Sequence, residues 1–400
     1  MTVSRGGADG ELHRRRVALL VNFVPPYRVP VLRRLQAHLS ALRILISTTM
    51  ERDRHWQPDW DGLDVRLQAS LSRTMKLTHP DGTVIHTELH LPYDTLIQLV
   101  RLRPDIVITG EMGLRTLMAW LYRRLVPRSR LVIWATLSDR TETKAGRLRT
   151  RLRRLLLWGA DAVLTNGQSG RRYLQRLGCP AQRIHPIGQA VPVSLFRQPP
   201  FRPPETAHDL VFIGNLEAWK GLLPALDQLR GWAEQRPVAG IRLQIIGRGR
   251  QRSDVLEAMA RLPANVTAHL ADPIPYAAMP ALYAKAGVLL LPSLYEEWGL
   301  VVNEAMAAGV VVLGSRHAQA VEELIEDGRT GFIFDPEVPG SLAAALDRLM
   351  AASPAELDVI RAAAQARIAA VTPDAMADHM AAVLAGISSG RAAMLQGGLP

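Results

Sequence analysis

Short apolar runs alternate with longer helical patterns along this 400-residue chain. The runs are rich in Val, Ile and Leu, without the polar alternation of a strand that has one solvent-exposed face. Such strands belong to parallel sheets, and the intervening segments are long enough for crossover helices. The runs are VALLVNFV, LRILIS, DIVIT, LVIWAT and DAVLTN in the first half, and DLVFIG, IRLQIIG, GVLLLP and VVVLG in the second. The sequence therefore predicts an α/β fold of two doubly wound domains, with the ligand bound in a cleft between them.

A proline-rich stretch, QPPFRPPE at residues 198–205, separates the two sets of runs. Proline is excluded from helix interiors and central strands, so this stretch is the predicted domain boundary. The boundaries place a first domain at residues 14–197 and a second at residues 205–372. Residues 373–400 then hold an apolar-periodic helix from Pro373 to Ala385 and a Gly-rich tail.

The composition favours a cytoplasmic protein. A chain that is 48% hydrophobic can fill the cores of two ordinary domains. The single cysteine, Cys179, allows no intramolecular disulfide. The first sixteen residues contain no apolar signal-peptide core, and the next apolar run, Val17 to Val24, is too short to span a bilayer.

The net charge of +11 is unevenly distributed. Residues 1–200 hold 32 Lys+Arg against 15 Asp+Glu, and residues 201–400 hold 16 against 22, so the halves carry +17 and −6. One helical segment has Leu148, Leu152, Leu155 and Leu156 at helical spacing, with Arg147, Arg149, Arg151, Arg153 and Arg154 on the other faces. An anionic membrane surface at the inner face of the membrane fits this helix, and so does an ordinary solvated role with the leucines in the core. No nucleic-acid partner is expected, because no nucleic-acid-binding module accompanies the charge.

Two carboxylates lie eight positions apart around a glycine in EEWGLVVNE, residues 296–304. A strand ending near Pro292 would deliver Glu296 in a loop, Gly299 at a helix start, and Glu304 about one turn inside the helix. The free amides of that helix start would face a nucleotide diphosphate. The donor-binding residues predicted in this stretch are Glu296, Trp298, Gly299, Leu300 and Glu304.

The longer segment PSLYEEWGLVVNEAMAAG resembles the E-x7-E signature of retaining GT-B glycosyltransferases, most closely the large family numbered four. The resemblance implies two Rossmann-like domains facing across a cleft, the first binding the acceptor and the second the nucleotide-sugar donor. It also implies that Glu296 holds hydroxyls of the donor sugar, that Glu304 holds the ribose, and that no metal or cofactor takes part. The 11 histidines are scattered and form no His/Cys cluster with ligand spacing, which agrees with the last point.

Two further segments of the second half supply donor contacts. In LVFIGNLEAWKGL a strand ends at Gly214, and Lys220 stands before Gly221 and a helical run, where its charge can meet a diphosphate. The resembled family has an Arg at the position of Asn215, so most of the leaving-group stabilisation falls to Lys220. In LQIIGRGRQR a strand ends at Gly247, without the third glycine of a dinucleotide fingerprint.

A fourth segment, HAQAVEELIEDGRTGFIFDP, resembles the family's closing segment, with Gln319 and Ala320 in place of its usual Gly pair. The four segments together span about residues 210–337 and occur in the family's order. The predicted catalytic residues are Glu296 and Lys220.

Candidate acceptor contacts follow predicted strands of the first half. Tyr27 and Arg28 follow the first strand, Glu111 follows DIVIT, and Asp139 and Glu142 follow LVIWAT. Open α/β sheets place ligands at the carboxyl ends of their strands. Loop packing explains Tyr27 and Arg28 without a ligand, and helix capping explains Glu111.

The sequence thus predicts a hexosyltransferase that moves a sugar from a UDP- or GDP-sugar to a glycan or polyprenyl-diphosphate-linked acceptor in polysaccharide biosynthesis, including exopolysaccharide. A non-catalytic nucleotide-sugar-binding protein is an alternative, and donor binding without transfer would identify it. A sugar-nucleotide epimerase, a phosphorylase and a nicotinamide oxidoreductase fit less well. The last of these would bind NAD.

Overall fold

The computed structural model describes residues 11–50, 59–78, 84–142, 146–199, 202–237 and 240–389. The chain divides into two compact units, one of residues 1–190 with residues 373–400, and one of residues 191–372. The division falls a few residues before the proline-rich stretch. Pro200 and Phe201 of that stretch, and the Gly-rich tail after Ser389, lie outside the described residues.

The first unit contains a parallel seven-stranded sheet with the order β3-β2-β1-β6-β7-β8-β9. Its strands are β1 (Arg16–Val21), β2 (Ala41–Ile46), β3 (Asp64–Leu67), β6 (Ile106–Gly110), β7 (Arg130–Ala135), β8 (Ala162–Thr165) and β9 (Ile184–Pro186). An antiparallel hairpin, β4 (Ser70–Thr78) and β5 (Val84–Pro92), is inserted after β3. Because the chain moves outward from β1 to β3 and returns to the other side of β1 at β6, the order reverses between β1 and β6.

Helices connect the strands of the first sheet, as the sequence predicts for crossover segments. They are α1 (Val29–Ala37), α2 (Thr95–Leu102), α3 (Leu114–Leu125), α4 (Arg147–Trp158) and α5 (Gln168–Arg176). The central strands are buried on both faces, as shown by the complete burial of Leu20, Ile108, Ile133 and Leu164. This burial explains why those strands are continuous apolar runs.

The second unit repeats the arrangement with a parallel six-stranded sheet of order β12-β11-β10-β13-β14-β15. Its strands are β10 (Leu210–Ile213), β11 (Ile241–Ile246), β12 (Val266–Ala271), β13 (Val288–Leu291), β14 (Val311–Ser315) and β15 (Phe332–Phe334). Its helices are α6 (Val193–Phe196), α7 (Leu222–Glu234), α8 (Arg252–Ala260), α9 (Met279–Tyr283), α10 (Leu300–Ala307), α11 (Gln319–Leu324), α12 (Ser341–Ala351) and α13 (Pro354–Ile368). The strand order reverses between β10 and β13. Both units are therefore doubly wound, which confirms the predicted α/β fold with two Rossmann-like halves.

The last helix, α14 (Pro373–Ser388), belongs to the first unit although it follows the second in the chain. It packs against α1, where Asp378 accepts hydrogen bonds from Arg34 Nε at 2.9 Å and contacts His38 Nε2 at 2.8 Å. The predicted late helix is thus tied to the N-terminal half. No helix among the described residues is long and apolar enough to cross a bilayer.

Candidate functional site

In the second unit, the loops after β10 and β13 meet where the strand order reverses. Lys220, in the loop after β10, donates a hydrogen bond from Nζ to Oε2 of Glu296, in the loop after β13. Ser293 Oγ donates to the same carboxylate oxygen at 3.2 Å. The two side chains are only 15% and 18% exposed. The structure therefore brings together the two residues predicted to be catalytic, at the point where open α/β sheets bind ligands.

Gly221 explains why Lys220 lies so close to the end of β13. Its φ of +67° is in the left-handed region, and a Cβ at this position would collide with the carbonyl oxygen of Pro292. The main chain of this loop also accepts a hydrogen bond at Trp219 O from Leu294 N at 2.8 Å. Only glycine allows this close approach of the two loops.

Gly299 precedes α10 with a φ of +99°, which is the left-handed conformation that glycine adopts without steric cost. Leu300 is the first residue of the helix, and Glu304 lies in its second turn. The free N–H groups of a helix N-terminus and its dipole attract an anion. The helix thus begins where the sequence predicts, and diphosphate binding there stays a prediction.

The side chain of Trp298 is buried, at 2% exposure, and anchors the loop. Its indole Nε1 donates to Asn303 Oδ1 at 2.8 Å, and its carbonyl accepts from Ala320 N at 2.9 Å. Gln319 Nε2 donates to the carbonyl of Glu297 at 2.6 Å. Gln319 and Ala320, the residues that replace the resembled Gly pair, therefore hold the Glu296–Gly299 loop in place.

Glu304 is buried, and its side chain accepts a hydrogen bond from the hydroxyl of Tyr283 at 2.9 Å. Burial raises the pKa of Glu304 from an ordinary 4.5 to about 7, and the hydrogen bond from Tyr283 offsets part of that rise. Burial also raises the pKa of Tyr283 well above its usual range, with the nearby Glu304 adding to the effect. No sequence motif identifies Tyr283, because it comes from α9, which precedes the motif.

The two glycines predicted as donor contacts end neighbouring strands. Gly214 N donates to Ile246 O at 3.1 Å, and a Cβ at Gly247 would collide with the carbonyl oxygen of Gly214. Asn215 follows as an exposed residue, and Leu216 N donates to Arg248 O at 2.8 Å. The loops after β10 and β11 thus run side by side next to Lys220.

A possible ligand set for a metal ion occurs in the described part of the second unit. The ligand atoms of His317, Asp335 and Glu337 lie within 4.8 Å of one another. His317 Nδ1 is 2.9 Å from Leu294 O, and its Nε2 is 3.2 Å from Asp335 Oδ1. An ion pair between a protonated His317 and Asp335 uses the same atoms, so the geometry does not require a metal. The absence of a catalytic metal stays a prediction.

The first unit has a polar cluster at its own point of strand reversal. Glu111, after β6, has a φ of +68° and accepts a hydrogen bond from Asn22 Nδ2 at 2.5 Å, after β1. The buried Arg115 donates to Asn22 Oδ1 at 2.7 Å and to Ser47 Oγ at 2.6 Å. A left-handed conformation at a non-glycine residue costs about 1–3 kcal/mol and is common at functional sites. The sequence identified Glu111 but neither Asn22 nor Arg115.

The other acceptor candidates do not join this cluster in any observed contact. Arg28, in the turn after β1 that also holds Tyr27, places its guanidinium 4.6 Å from the centre of the Trp134 ring. Asp139 accepts from Ser169 Oγ at 2.6 Å and thereby ties its loop to α5. Glu142 accepts from Arg153 Nη1 at 2.6 Å and ties the same region to α4. Asp139 and Glu142 therefore have structural partners within the first unit.

Two protein-family models match this chain, one in each half. Residues 4–190 match a family model described as a glycosyl transferase 4-like domain, and residues 207–352 match one described as glycosyl transferases group 1. The chain is 30% identical over 152 residues to D-inositol 3-phosphate glycosyltransferase of Corynebacterium urealyticum, which covers 37% of this chain and 36% of that protein. It is 28% identical over 191 residues to a putative colanic acid biosynthesis glycosyltransferase of Escherichia coli, covering 45% and 44%.

Two solved structures share the fold at low sequence identity. HepE of Anabaena in complex with UDP-glucose aligns with a TM-score of 0.68 and 16% identity over 93% of this chain and all of that one. Sucrose-phosphate synthase of Thermosynechococcus elongatus aligns with a TM-score of 0.67 and 17% identity over 94% and 100%. The aligned sequence spans less than half the length of the curated relatives above.

Proposed function

We propose that this chain, which belongs to the GT-B glycosyltransferases of the family 4 type, transfers a sugar from a nucleotide-sugar donor to an acceptor hydroxyl. The observation that carries the proposal is the contact of Lys220 with Glu296 beside the N-terminus of α10. A cation, a carboxylate and free helix amides at one strand reversal can bind a diphosphate and its attached sugar together.

The diphosphate of the donor replaces Glu296 as the partner of Lys220. Lys220 and the first amides of α10 then stabilise the negative charge that develops on the departing nucleoside diphosphate. The carboxylate of Glu296, released from the ion pair, accepts hydrogen bonds from hydroxyls of the donor sugar. The same rearrangement thus brings Lys220 to the diphosphate and Glu296 to the sugar of the donor.

Glu304 holds the ribose of the nucleotide. Two ribose hydroxyls that donate to its carboxylate favour the ionised form, against the burial that raises its pKa in the ligand-free protein. Trp298, Gln319 and Ala320 keep the intervening loop in position. Donor recognition in this proposal needs no metal or other cofactor, and the nucleotide sugar is a substrate.

The finer assignment is a retaining hexosyltransferase that uses a UDP- or GDP-sugar in polysaccharide biosynthesis. The UDP-glucose bound by the structurally similar HepE supports a UDP-sugar, and the colanic acid role named for the Escherichia coli relative supports a polysaccharide product. The acceptor is a glycan or a polyprenyl-diphosphate-linked glycan at the inner face of the membrane, bound by the basic first unit. The polar cluster of Asn22, Glu111 and Arg115 is its candidate contact.

Calorimetric titration with UDP, GDP, ADP and NAD tests the donor site, with release of nucleoside diphosphate in the presence of membrane acceptors as the activity assay. Lys220→Ala should weaken binding of the preferred nucleotide about 10- to 100-fold, since it removes a charge-assisted hydrogen bond. Lys285→Ala removes an exposed lysine of the same unit and should bind like the wild type. Binding of NAD alone, or a Lys220→Ala protein with unchanged affinity and activity, would refute the proposal.

The exposed, neutral Asn215 favours one alternative, a nucleotide-sugar-binding protein without transfer activity. In the resembled family an Arg adds a second cation at this position. If the wild type binds a nucleotide sugar and transfers nothing to any membrane acceptor, this alternative replaces the enzymatic one.

A further inference from the structure

Helix α4 buries Arg153 beside the core leucines Leu156 and Leu157, and it exposes three other large apolar residues. Arg153 is 5% exposed, donates to Glu142 Oε2 at 2.6 Å and contacts the hydroxyl of Tyr173. Leu148, Leu155 and Trp158 are 81%, 42% and 69% exposed. In an ordinary surface helix the apolar residues form one stripe toward the core and the opposite face is charged or polar, whereas here the outer face also carries three large apolar residues.

The exposed apolar residues share one side of the helix with most of its arginines. At about 100° per residue, Leu148, Leu155 and Trp158 fall within an arc of about 80°, and Arg151 lies inside it. Arg147 and Arg154 extend this side by about 40°. These three arginines are exposed and form no ion pair with any described residue, whereas Arg149, on another side, pairs with Glu142 at 3.3 Å.

The C-terminal end of α3 continues the same surface. The guanidinium of Arg124 lies 4.8 Å from the centre of the Trp120 ring and 5.5 Å from that of Trp158. The next residue, Leu125, is 65% exposed. The two helices together contain no Asp or Glu. We call this surface the α4 face, formed by Arg124, Leu125, Arg147, Leu148, Arg151, Arg154, Leu155 and Trp158.

We propose that the α4 face binds the surface of a bilayer that contains anionic lipids. Its arginines meet the headgroup phosphates, while its leucines and Trp158 enter the boundary between headgroups and acyl chains, as in interfacial amphipathic helices. A second copy of this chain is a poor partner, because two such faces would oppose only positive charges. The interleaving of basic and apolar side chains is the observation that favours a lipid surface.

The inference depends on the proposed function in one respect only, which is that a polyprenyl-linked acceptor lies at such a surface. Membrane binding is measured without donor or acceptor. Failure of vesicle binding would therefore leave the nucleotide titration of Lys220 unaffected, and failure of that titration would leave vesicle binding unaffected.

Flotation of the purified full chain with phosphatidylcholine vesicles, with and without phosphatidylglycerol, is the test. The wild type should float only with the anionic vesicles, and high salt should release it. Arg151→Gln with Arg154→Gln should weaken binding about 30-fold. Leu148→Ser with Trp158→Ser should abolish flotation. Because all four side chains are exposed, circular dichroism should show that both variants are folded.

Matched controls come from exposed positions of the second unit. Leu256→Ser with Val359→Ser removes similar apolar side chains, and Arg261→Gln with Arg329→Gln removes the same charge, so both should float like the wild type. Equal flotation with pure phosphatidylcholine, no flotation with anionic vesicles, or variants that match their controls would overturn the proposal. It would also be overturned if the wild type dimerised without binding vesicles and Leu148→Ser with Trp158→Ser abolished the dimer.

Discussion

The buried carboxyl of Glu304 makes the stability of the second unit depend on pH. Glu304 is the most informative residue to change, because Glu304→Gln keeps the size of the side chain and an oxygen that can accept the hydrogen bond from Tyr283. The substitution therefore removes only the ionisable carboxyl group. We expect the variant to be more stable than the wild type above neutral pH and similar to it in mild acid.

The size of the effect follows from the pKa. Burial raises the pKa of Glu304 from 4.5 in the unfolded chain to about 7 in the folded one. Below pH 4.5 Glu304 is protonated in both the folded and the unfolded state, so the stabilising contribution of its raised pKa is fully present. As the pH rises from 4.5 through about 7, the unfolded state loses its proton first and the folded state is destabilised, by about 3 kcal/mol in total.

Urea unfolding followed by circular dichroism, at about pH 5 and about pH 8, measures the free energy of unfolding of both proteins. The stability of Glu304→Gln relative to the wild type should rise by about 2.5 kcal/mol between these conditions, because titrations that the two proteins share cancel in the difference. Glu257→Gln, an exposed substitution in the same unit, is the matched control and should follow the wild type.

A relative stability that changes by less than about 1 kcal/mol across this range would refute the reasoning. Glu304 would then be ionised in the folded protein, and its burial beside Tyr283 would not exclude water as the structure indicates.

Two further predictions concern other parts of the fold. His185 of β9 has its pKa lowered from 6.5 to about 4 by burial and by the nearby His379 and Arg171, so its stabilising contribution is present above 6.5 and is lost as the pH falls through about 4. His185→Gln should therefore remove up to about 3 kcal/mol of acid destabilisation, measured as the difference in urea stability between about pH 7 and about pH 4. Gly221→Ala should destabilise the second unit by about 1–3 kcal/mol and weaken nucleotide binding, because it combines a left-handed φ with a collision at Pro292 O. Gly231→Ala within α7, where a Cβ meets open space, should instead stabilise by about 0.5–1 kcal/mol, and equal stabilities of the two variants would contradict the proposed role of Gly221.

All nine predicted strands occur in the structure, and the strands of the two large sheets that sequence patterns missed have a common position, whereas the hairpin strands β4 and β5 were also missed. In the two large sheets they are β3, β9, β12 and β15, the edge strands. A central strand is buried on both faces and reads as a continuous apolar run, whereas an edge strand is partly exposed or very short and lacks that signal. β12 shows this directly, with only Val266 buried among its six residues.

The candidate donor site divides in a similar way. The positions of Glu296, Gly299 and Glu304 could be predicted because one loop and one helix, contiguous in the chain, carry them. The partners that set their environment could not, since Tyr283 and Gln319 approach from other elements. The assignment of individual residues to donor and acceptor stays a prediction.

Helix α4 shows most clearly what the sequence determined and what only the tertiary structure decided. Its leucine and arginine spacing by itself determined an amphipathic helix with leucines at helical spacing and arginines on the other faces. Only the tertiary structure decided which side is buried, because Glu142 and Tyr173 reach Arg153 from outside the helix and draw it inward. Periodicity defines the faces of a helix, but burial depends on what lies across from each face. That information is absent from the helix's own sequence.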